Sequence, residues 1–367
     1  MIKNIIKCLK LKDEMIFFIS FALAVIMSVF MPVSFKAIDF KVIALLYSLM
    51  LIALAFEKYH LVEFIATSIL KKAQNQRQIG FFMILTTAFC AMFMTNDVAL
   101  FTMVPITFAI SDKAEIDPKR TVVLQTIAAN IGSSFTPFGN PQNLFLFTVY
   151  DIDIWAFMRI TFLLVFLGIC FTLALNLRSP KEKITYEKVM VSLSHKKKLI
   201  YFLVLFIIVL SSVLGFLDYR ITTALVLLSV FLIERKLLLR ADYYLLGTFI
   251  CFFIIIDHIQ DISCFRNGIK VLLDSKRMVF VLSALISQVI SNVPSAVLVS
   301  AFTDYYDALL LGVSVGGMGT MIASMANLIS YKLYIKKYPA KSYTKLFYQY
   351  NFLGFALAKS NSSLREL

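Results

Sequence analysis

Two short polar clusters interrupt long apolar segments of this chain, and they are where chemistry could occur. Thr95, Asn96 and Asp97 lie inside the apolar stretch 79–110, and Ser291, Asn292 and Val293 inside 278–302. A glycine-rich polar run follows each cluster, GSSFTPFGNPQN at 132–143 and GGMGTMIASMAN at 316–327. Such residues offer amides, hydroxyls, backbone carbonyls and one carboxylate, which are ligands for a cation and hydrogen-bonding groups for an anion. The apolar segments hold no HExxH, no histidine cluster and no nucleophile paired with a base, so binding is expected and an enzyme is not. No nucleotide-binding loop occurs, so direct ATP coupling is not expected either.

Asp97 is the only ionisable residue between Arg77 and Asp112. A carboxylate at membrane depth costs at least about 2.5–3.5 kcal/mol on insertion scales, and such residues are by default functional. Two roles suit it, a helix cap accepting from backbone N–H groups and a site for a cation or proton; the second is favoured. Asn96, Asn140, Asn143, Asn292 and Asn327 could be interhelical glue worth about 0.6–2 kcal/mol each. Their paired placement after two similar interruptions favours ligand contact. Thr136, Thr320, Ser133, Ser134 and Ser324 divide evenly between packing and binding. His60, His195 and His258 do not cluster; His60 and His258 fall at helix ends, where capping or snorkelling is expected. Arg159 is read as snorkelling to the membrane surface.

These residues need elements to hold them, and the composition says which. Of 367 residues, 60% are hydrophobic and only 16% are charged, with a mean hydropathy of +0.82. Soluble domains are nearer 45–50% apolar and about 25% charged, so the bilayer is this chain's solvent. The net charge of +14 does not imply nucleic acid, because the basic residues sit in short loops between apolar spans. The five cysteines form no CxxC pair, which argues against a disulfide frame or a metal site. Segment 17–32 has no clear small-residue cleavage site and is read as a retained helix.

A crossing helix takes about 20 residues. Nine crossings are expected at 15–31, 37–56, 121–150, 154–177, 199–217, 221–233, 243–257, 309–334 and 343–358. Segments 79–110 and 278–302 are expected to enter and turn back as hairpins. With a cytoplasmic N-terminus this arrangement puts 26 of the 36 Lys and Arg inside, as the positive-inside rule requires. Arg266, Lys270, Lys276 and Arg277 fall outside, in a stretch expected to lie along the membrane surface.

Five crossings separate the two hairpins, and five is odd, so the second half is inverted relative to the first. The expected fold is an all-α polytopic membrane protein with two inverted repeats, each with a re-entrant hairpin and a broken transmembrane helix. The first repeat is 1–177, with hairpin 79–110 and broken helix 121–150. A basic cytoplasmic linker follows at 178–198. The second repeat is 199–367, with hairpin 278–302 and broken helix 309–334. Pro137 and Pro141 remove backbone donors, and Gly132 and Gly139 allow unwinding or close approach. Irregular backbone at membrane depth is tolerated only where it is buried in protein or lines a cavity. Paired broken helices in the two halves are the sequence mark of a transporter site at the midplane.

The hairpin tips and broken helices resemble the Ion Transporter superfamily of divalent anion/sodium symporters, citrate transporters, arsenite permeases and some sodium/proton antiporters. In the symporters each tip carries Ser-Asn-Thr, and each broken helix a glycine-rich stretch ending near Asn-Pro-Pro-Asn. The matching residues here are Thr95-Asn96-Asp97 with Gly139-Asn140-Pro141-Gln142-Asn143, and Ser291-Asn292-Val293 with 316–327. Asp97 and Val293 replace the Thr of the symporters, and the second broken helix, at Ser324-Met325-Ala326-Asn327, lacks the proline.

The resemblance implies binding of substrate and ion by Thr95, Asn96, Asp97, Thr136, Gly139, Asn140, Asn143, Ser291, Asn292, Val293, Thr320, Ser324 and Asn327. Sodium would sit at Asn96, Asp97 and Asn292. It implies a secondary carrier of a small anion such as citrate or succinate, coupled to sodium or protons and moving as an elevator. An arsenite efflux permease or a sodium/proton antiporter is the alternative. No cofactor beyond the coupling ion is expected. The partners are a small anionic substrate and the lipid bilayer, with no nucleic acid and a homodimer left open. The location is the inner membrane, multi-pass.

Overall fold

The computed structural model describes residues 15–70, 73–181, 183 and 191–360. Residues 182 and 184–190 of the basic linker 178–198, residues 71 and 72, and both chain ends lie outside the described residues. Among the described residues there are helices and no named strand. In hydrocarbon every backbone group must be satisfied within its own segment, which selects helices.

The helices are α1 Met15–Phe30, α2 Phe40–Lys58, α3 Leu61–Leu70, α4 Gln76–Phe93, α5 Asn96–Lys113, α6 Lys119–Ser133, α7 Pro141–Val149 and α8 Ile154–Asn176. They continue as α9 Lys196–Val213, α10 Tyr219–Glu234, α11 Tyr243–Asp261, α12 Ser263–Leu272, α13 Lys276–Ile290, α14 Asn292–Ser300, α15 Tyr306–Gly316, α16 Met325–Ile335 and α17 Ala340–Ser360. Three of them, α2, α8 and α11, are long and apolar enough to cross a membrane unaided. The chain is an all-α polytopic membrane protein.

Side-chain caps start many of these helices, as termini with unsatisfied N–H groups require. Asp39, Asn75, Asp153, Asp218, Asp242 and Ser275 each accept from a backbone N–H two or three residues on. Large apolar side chains on α8, α9 and α10 stay exposed, including Trp155, Phe162, Ile207 and Leu232. That is how a lipid-facing surface looks in the absence of lipid.

The expected hairpins are the helix pairs α4–α5 and α13–α14, and the expected broken helices are α6–α7 and α15–α16. One expectation needs correction. The stretch after α2, read as a cytoplasmic loop, contains α3, which packs on α4 and α5. Its sequence LVEFIATSIL is apolar but only 10 residues long, too short to register as a crossing. Arg266 and Lys270 lie on a helix, α12, with exposed Val271 and Leu272, and Lys276 and Arg277 begin α13.

Packing follows one plan twice. The first arm of each hairpin lies against the first half of the following broken helix, α4 on α6 and α13 on α15. The second arms cross over: α5 packs on α16, and α14 packs on α7. The two hairpin units are therefore interlocked.

Candidate functional site

Each broken helix opens at a glycine-rich turn fixed by its neighbours. A Cβ on Gly132 would come 2.3 Å from the Ala88 carbonyl oxygen, so only glycine lets α6 approach α4 this closely. Gly319 in the second break has φ +114°, which favours glycine, and a Cβ there would meet Gln288 Oε1 at 2.2 Å. Past the first break, Asn140 caps α7 by accepting from Asn143 N–H at 2.9 Å, and Pro141 holds the first helical position.

The hairpin tips are pinned to the breaks in the same way in both halves. Asn96 N–H donates to the Gly139 carbonyl at 3.2 Å, and Asn292 N–H to the Ala323 carbonyl at 2.9 Å. Thr136 Oγ1 donates to the Met92 carbonyl, and Thr320 Oγ1 to the Gln288 carbonyl at 3.0 Å. These partners are related by a constant offset, 196 along the hairpins and 184 along the broken helices. The contact pattern is thus duplicated atom for atom at four positions.

Between the tips stands Asn130, on α6. Its Oδ1 accepts from Asn96 Nδ2 at 3.1 Å and from Ser324 Oγ at 2.8 Å. Its Nδ2 donates to Asn327 Oδ1 at 2.8 Å. Gly317 lies at the same point: its would-be Cβ is 3.1 Å from Asn292 Nδ2 and 3.8 Å from Asn130 Oδ1. Asn96, Asn130, Asn292, Ser324 and Asn327 are all buried. The two tips, 196 residues apart in sequence, thus meet around one asparagine and one glycine.

The tips are not identical. Thr95 is ordinary extended backbone at φ −61°, ψ 145°. Ser291 has φ +78° and ψ 156°, a region nearly confined to glycine that costs roughly 1–3 kcal/mol. Asp97 lies in the first turn of α5. Its backbone N–H is capped by Asn96 Oδ1 at 3.0 Å, while its own Oδ1 is buried without a hydrogen-bond partner. The carboxylate therefore does not cap this helix. Asn143 Oδ1 and Ser314 Oγ are among the other buried atoms that lack partners. By the offset of 184, Ser314 occupies the position that Asn130 fills in the first half.

The arrangement has the composition of a binding site for a small polar solute, with neutral amides and hydroxyls around a buried centre. A family model described as Citrate transporter matches residues 11–306. The chain belongs to the citrate transporter family. An uncharacterized transporter of Methanocaldococcus jannaschii is 33% identical over 306 residues, 82% of each chain. The inner membrane protein YbiR of Escherichia coli is 28% identical over 322 residues, 84% of each chain. A Dictyostelium discoideum protein named transporter arsB is 25% identical over 135 residues, 37% of this chain and 24% of that one. This family member is a multi-pass membrane transporter, as its relatives are named.

The sequence singled out thirteen site residues, and the structure sorts them. Asn96, Asn292, Ser324 and Asn327 reach the Asn130–Gly317 centre. Asn140 and Asn143 instead hold the first break: Asn143 Nδ2 donates to the Ser133 and Thr136 carbonyls at 3.1 and 3.0 Å. Thr136 and Thr320 tie break to hairpin, Gly139 offers the carbonyl that receives Asn96, and Thr95, Asp97, Ser291 and Val293 form the tips.

Sequence reasoning missed Asn130 and Gln288. Asn130 stands two residues before the run that begins at Gly132, and its polarity among Ile127, Ala128, Ala129 and Ile131 was the available signal. Gln288 binds the Gly316 and Met318 carbonyls and the Thr320 N–H through its side chain. No periodicity marks it. His258 departs from its expectation: it is only 1% exposed, with Nε2 buried and unpartnered, so it does not snorkel. His60 is exposed and pairs with Glu63 at 3.2 Å, and Arg159 is exposed.

Proposed function

We propose that this protein is a secondary active transporter of a small anion, with di- and tricarboxylates such as citrate or succinate the first class to test. The observation that carries this reading is the meeting of two hairpin tips at Asn130 and Gly317. A solute held there touches both halves of the molecule at once, which alternating access requires. The substrate would be bound by Asn96, Asn130, Asn292 and Ser324, with the N-termini of α5 and α14 favouring negative charge. Asp97, whose Oδ1 has no hydrogen-bond partner, would take the coupling ion, sodium or a proton. The two halves would be inverted relative to one another, the N-terminus cytoplasmic, and the interlocked hairpin units the part that moves as an elevator. The inner membrane location rests on the likeness to YbiR.

A second reading is favoured by one observation. The side chains that hydrogen-bond around Asn130 are uncharged, so no cationic clamp for a carboxylate stands there. Neutral amides and hydroxyls also suit a small neutral hydroxide such as arsenous acid, and the likeness to the transporter named arsB points the same way.

The deciding experiment is uptake and efflux by purified protein in liposomes, with citrate, succinate and arsenite under imposed sodium and proton gradients. Gradient-driven movement of a carboxylate supports the first reading. Movement of arsenite alone selects the second, and no movement of any solute under any gradient ends both.

A further inference from the structure

Apart from the residues assigned to the proposed transport site, the C-terminal end of α10 carries a basic site. Glu234 is its centre. The carboxylate is 12% exposed and receives Lys58, Lys198 at 3.0 Å and the Tyr59 hydroxyl at 2.8 Å. Two cations thus meet one carboxylate. Arg235 and Lys236 follow at once, both exposed, and neither joins a hydrogen bond or ion pair among the described residues. Four positive groups stand against one negative.

A cavity of about 470 Å³ opens here, lined by Lys58, Phe231, Leu232, Glu234, Arg235 and Lys236. One wall is cationic and the other is apolar. Phe231 and Leu232 are 61% and 72% exposed, and Leu228, one turn back on α10, is 57% exposed. On the adjoining α9, Ile200 and Val204 are similarly exposed. A cationic pocket whose floor runs into an exposed apolar helix surface has the two chemistries of a phospholipid, in the right order along the membrane normal.

The geometry points to a binding site for one anionic phospholipid, its phosphate between Lys58, Arg235 and Lys236 and its acyl chains along Phe231, Leu232 and Leu228. Lys58 is already steered by Glu234, so the pocket is preorganised, and the unpaired Arg235 and Lys236 supply the net attraction. A free phosphate would satisfy the cations but leave the apolar wall uncovered. A second copy of this chain would bring the same positive patch, so like charge would face like.

The test is native mass spectrometry of the full-length purified protein titrated with phosphatidylglycerol or phosphatidylcholine of identical acyl chains. Wild type should retain phosphatidylglycerol in preference. The double variant Arg235→Gln, Lys236→Gln should lose that preference by about five-fold per residue, the equivalent of ~1 kcal/mol for each basic group near an anionic lipid. Both side chains are exposed and join no hydrogen bond or ion pair among the described residues, so the variant's melting temperature in phosphatidylcholine should equal that of wild type, and this controls for folding. Equal retention of the two lipids by wild type overturns the site, as does an unchanged preference in the variant. Displacement of phosphatidylglycerol by inorganic phosphate at equal concentration also overturns it, because the pocket would then recognise the anion and not the lipid.

Discussion

Asn143 and Asn327 make the same pair of hydrogen bonds in the two halves of the molecule. Each donates its amide hydrogens to the carbonyls ten and seven residues upstream, Ser133 and Thr136 for Asn143, Gly317 and Thr320 for Asn327. The Thr136 and Thr320 carbonyls also accept from the Gly139 and Ala323 N–H groups, and a buried carbonyl left unpaired costs about 1–3 kcal/mol. One side chain thus makes each break tolerable at membrane depth.

The two asparagines differ in their oxygens, and this sets the first prediction. Asn327 Oδ1 accepts from Asn130 at 2.8 Å, whereas Asn143 Oδ1 has no partner. Asn327→Ala should therefore destabilise more than Asn143→Ala, by about 1 kcal/mol for the additional hydrogen bond. Thermal unfolding of both variants in the same detergent measures it. Equal losses would mean that the Asn130 contact contributes nothing to stability.

The second prediction concerns Asn130, which accepts from the tip residue Asn96 and donates to Asn327 across the halves. Asn130→Asp keeps the shape and the acceptor but removes the donor. A double-mutant cycle of Asn130→Asp with Asn327→Ala should show coupling of roughly 0.5–3 kcal/mol, the range for residues in one hydrogen-bond network. Strict additivity in thermal unfolding would refute the link. Transport by Asn130→Asp should fall about ten-fold or more, corresponding to ~1.4 kcal/mol.

Much of this architecture was legible in the sequence because its causes are local. Apolar length, polar interruptions and the placement of proline and glycine determine where helices start and break, so helices end and restart at 93–96, 133–141, 290–292 and 316–325, where the polar interruptions lie. The helix α3 escaped because ten apolar residues are fewer than a crossing needs. Asn130 and Gln288 escaped for a different reason. Each sits on a regular helix and gains its role only from what another segment brings: Asn130 from Asn327, 197 residues away, and Gln288 from the Thr320 backbone, 32 residues away. Asn140 was placed at the right spot with a different use, since its side chain oxygen is taken up in starting α7.

The third prediction is topological. On the proposed orientation, which rests on the basic-residue distribution, the segment before α9 is cytoplasmic. A cysteine at Ser194, labelled in intact cells with a membrane-impermeant reagent, should react only after permeabilisation. Reaction from outside would reverse the orientation proposed for the whole chain.

The last prediction is that Asp97 carries the coupling ion. Its backbone N–H is already satisfied by Asn96 Oδ1, and its carboxylate Oδ1 is buried without a partner. A cap would spend that oxygen on a neighbouring N–H, and here it does not. The residue is half-buried, and a carboxylate oxygen held away from solvent without a partner favours a bound proton, a cation or water. It stands one residue after Asn96, whose N–H holds the carbonyl of Gly139, so an ion bound there would sense tip and break together. Asp97→Asn keeps the volume and the hydrogen-bonding edge but cannot ionise. The variant should insert and fold as wild type does, with an unchanged melting temperature. Gradient-driven transport should fall by about ten-fold or more, equivalent to ~1.4 kcal/mol, and the residual rate should lose its dependence on sodium or pH. Asp97→Glu, which restores the charge with one added methylene, should recover part of the ion dependence, and a structural role alone would give no such recovery. Wild-type rates and wild-type ion dependence in reconstituted Asp97→Asn would place the coupling site elsewhere.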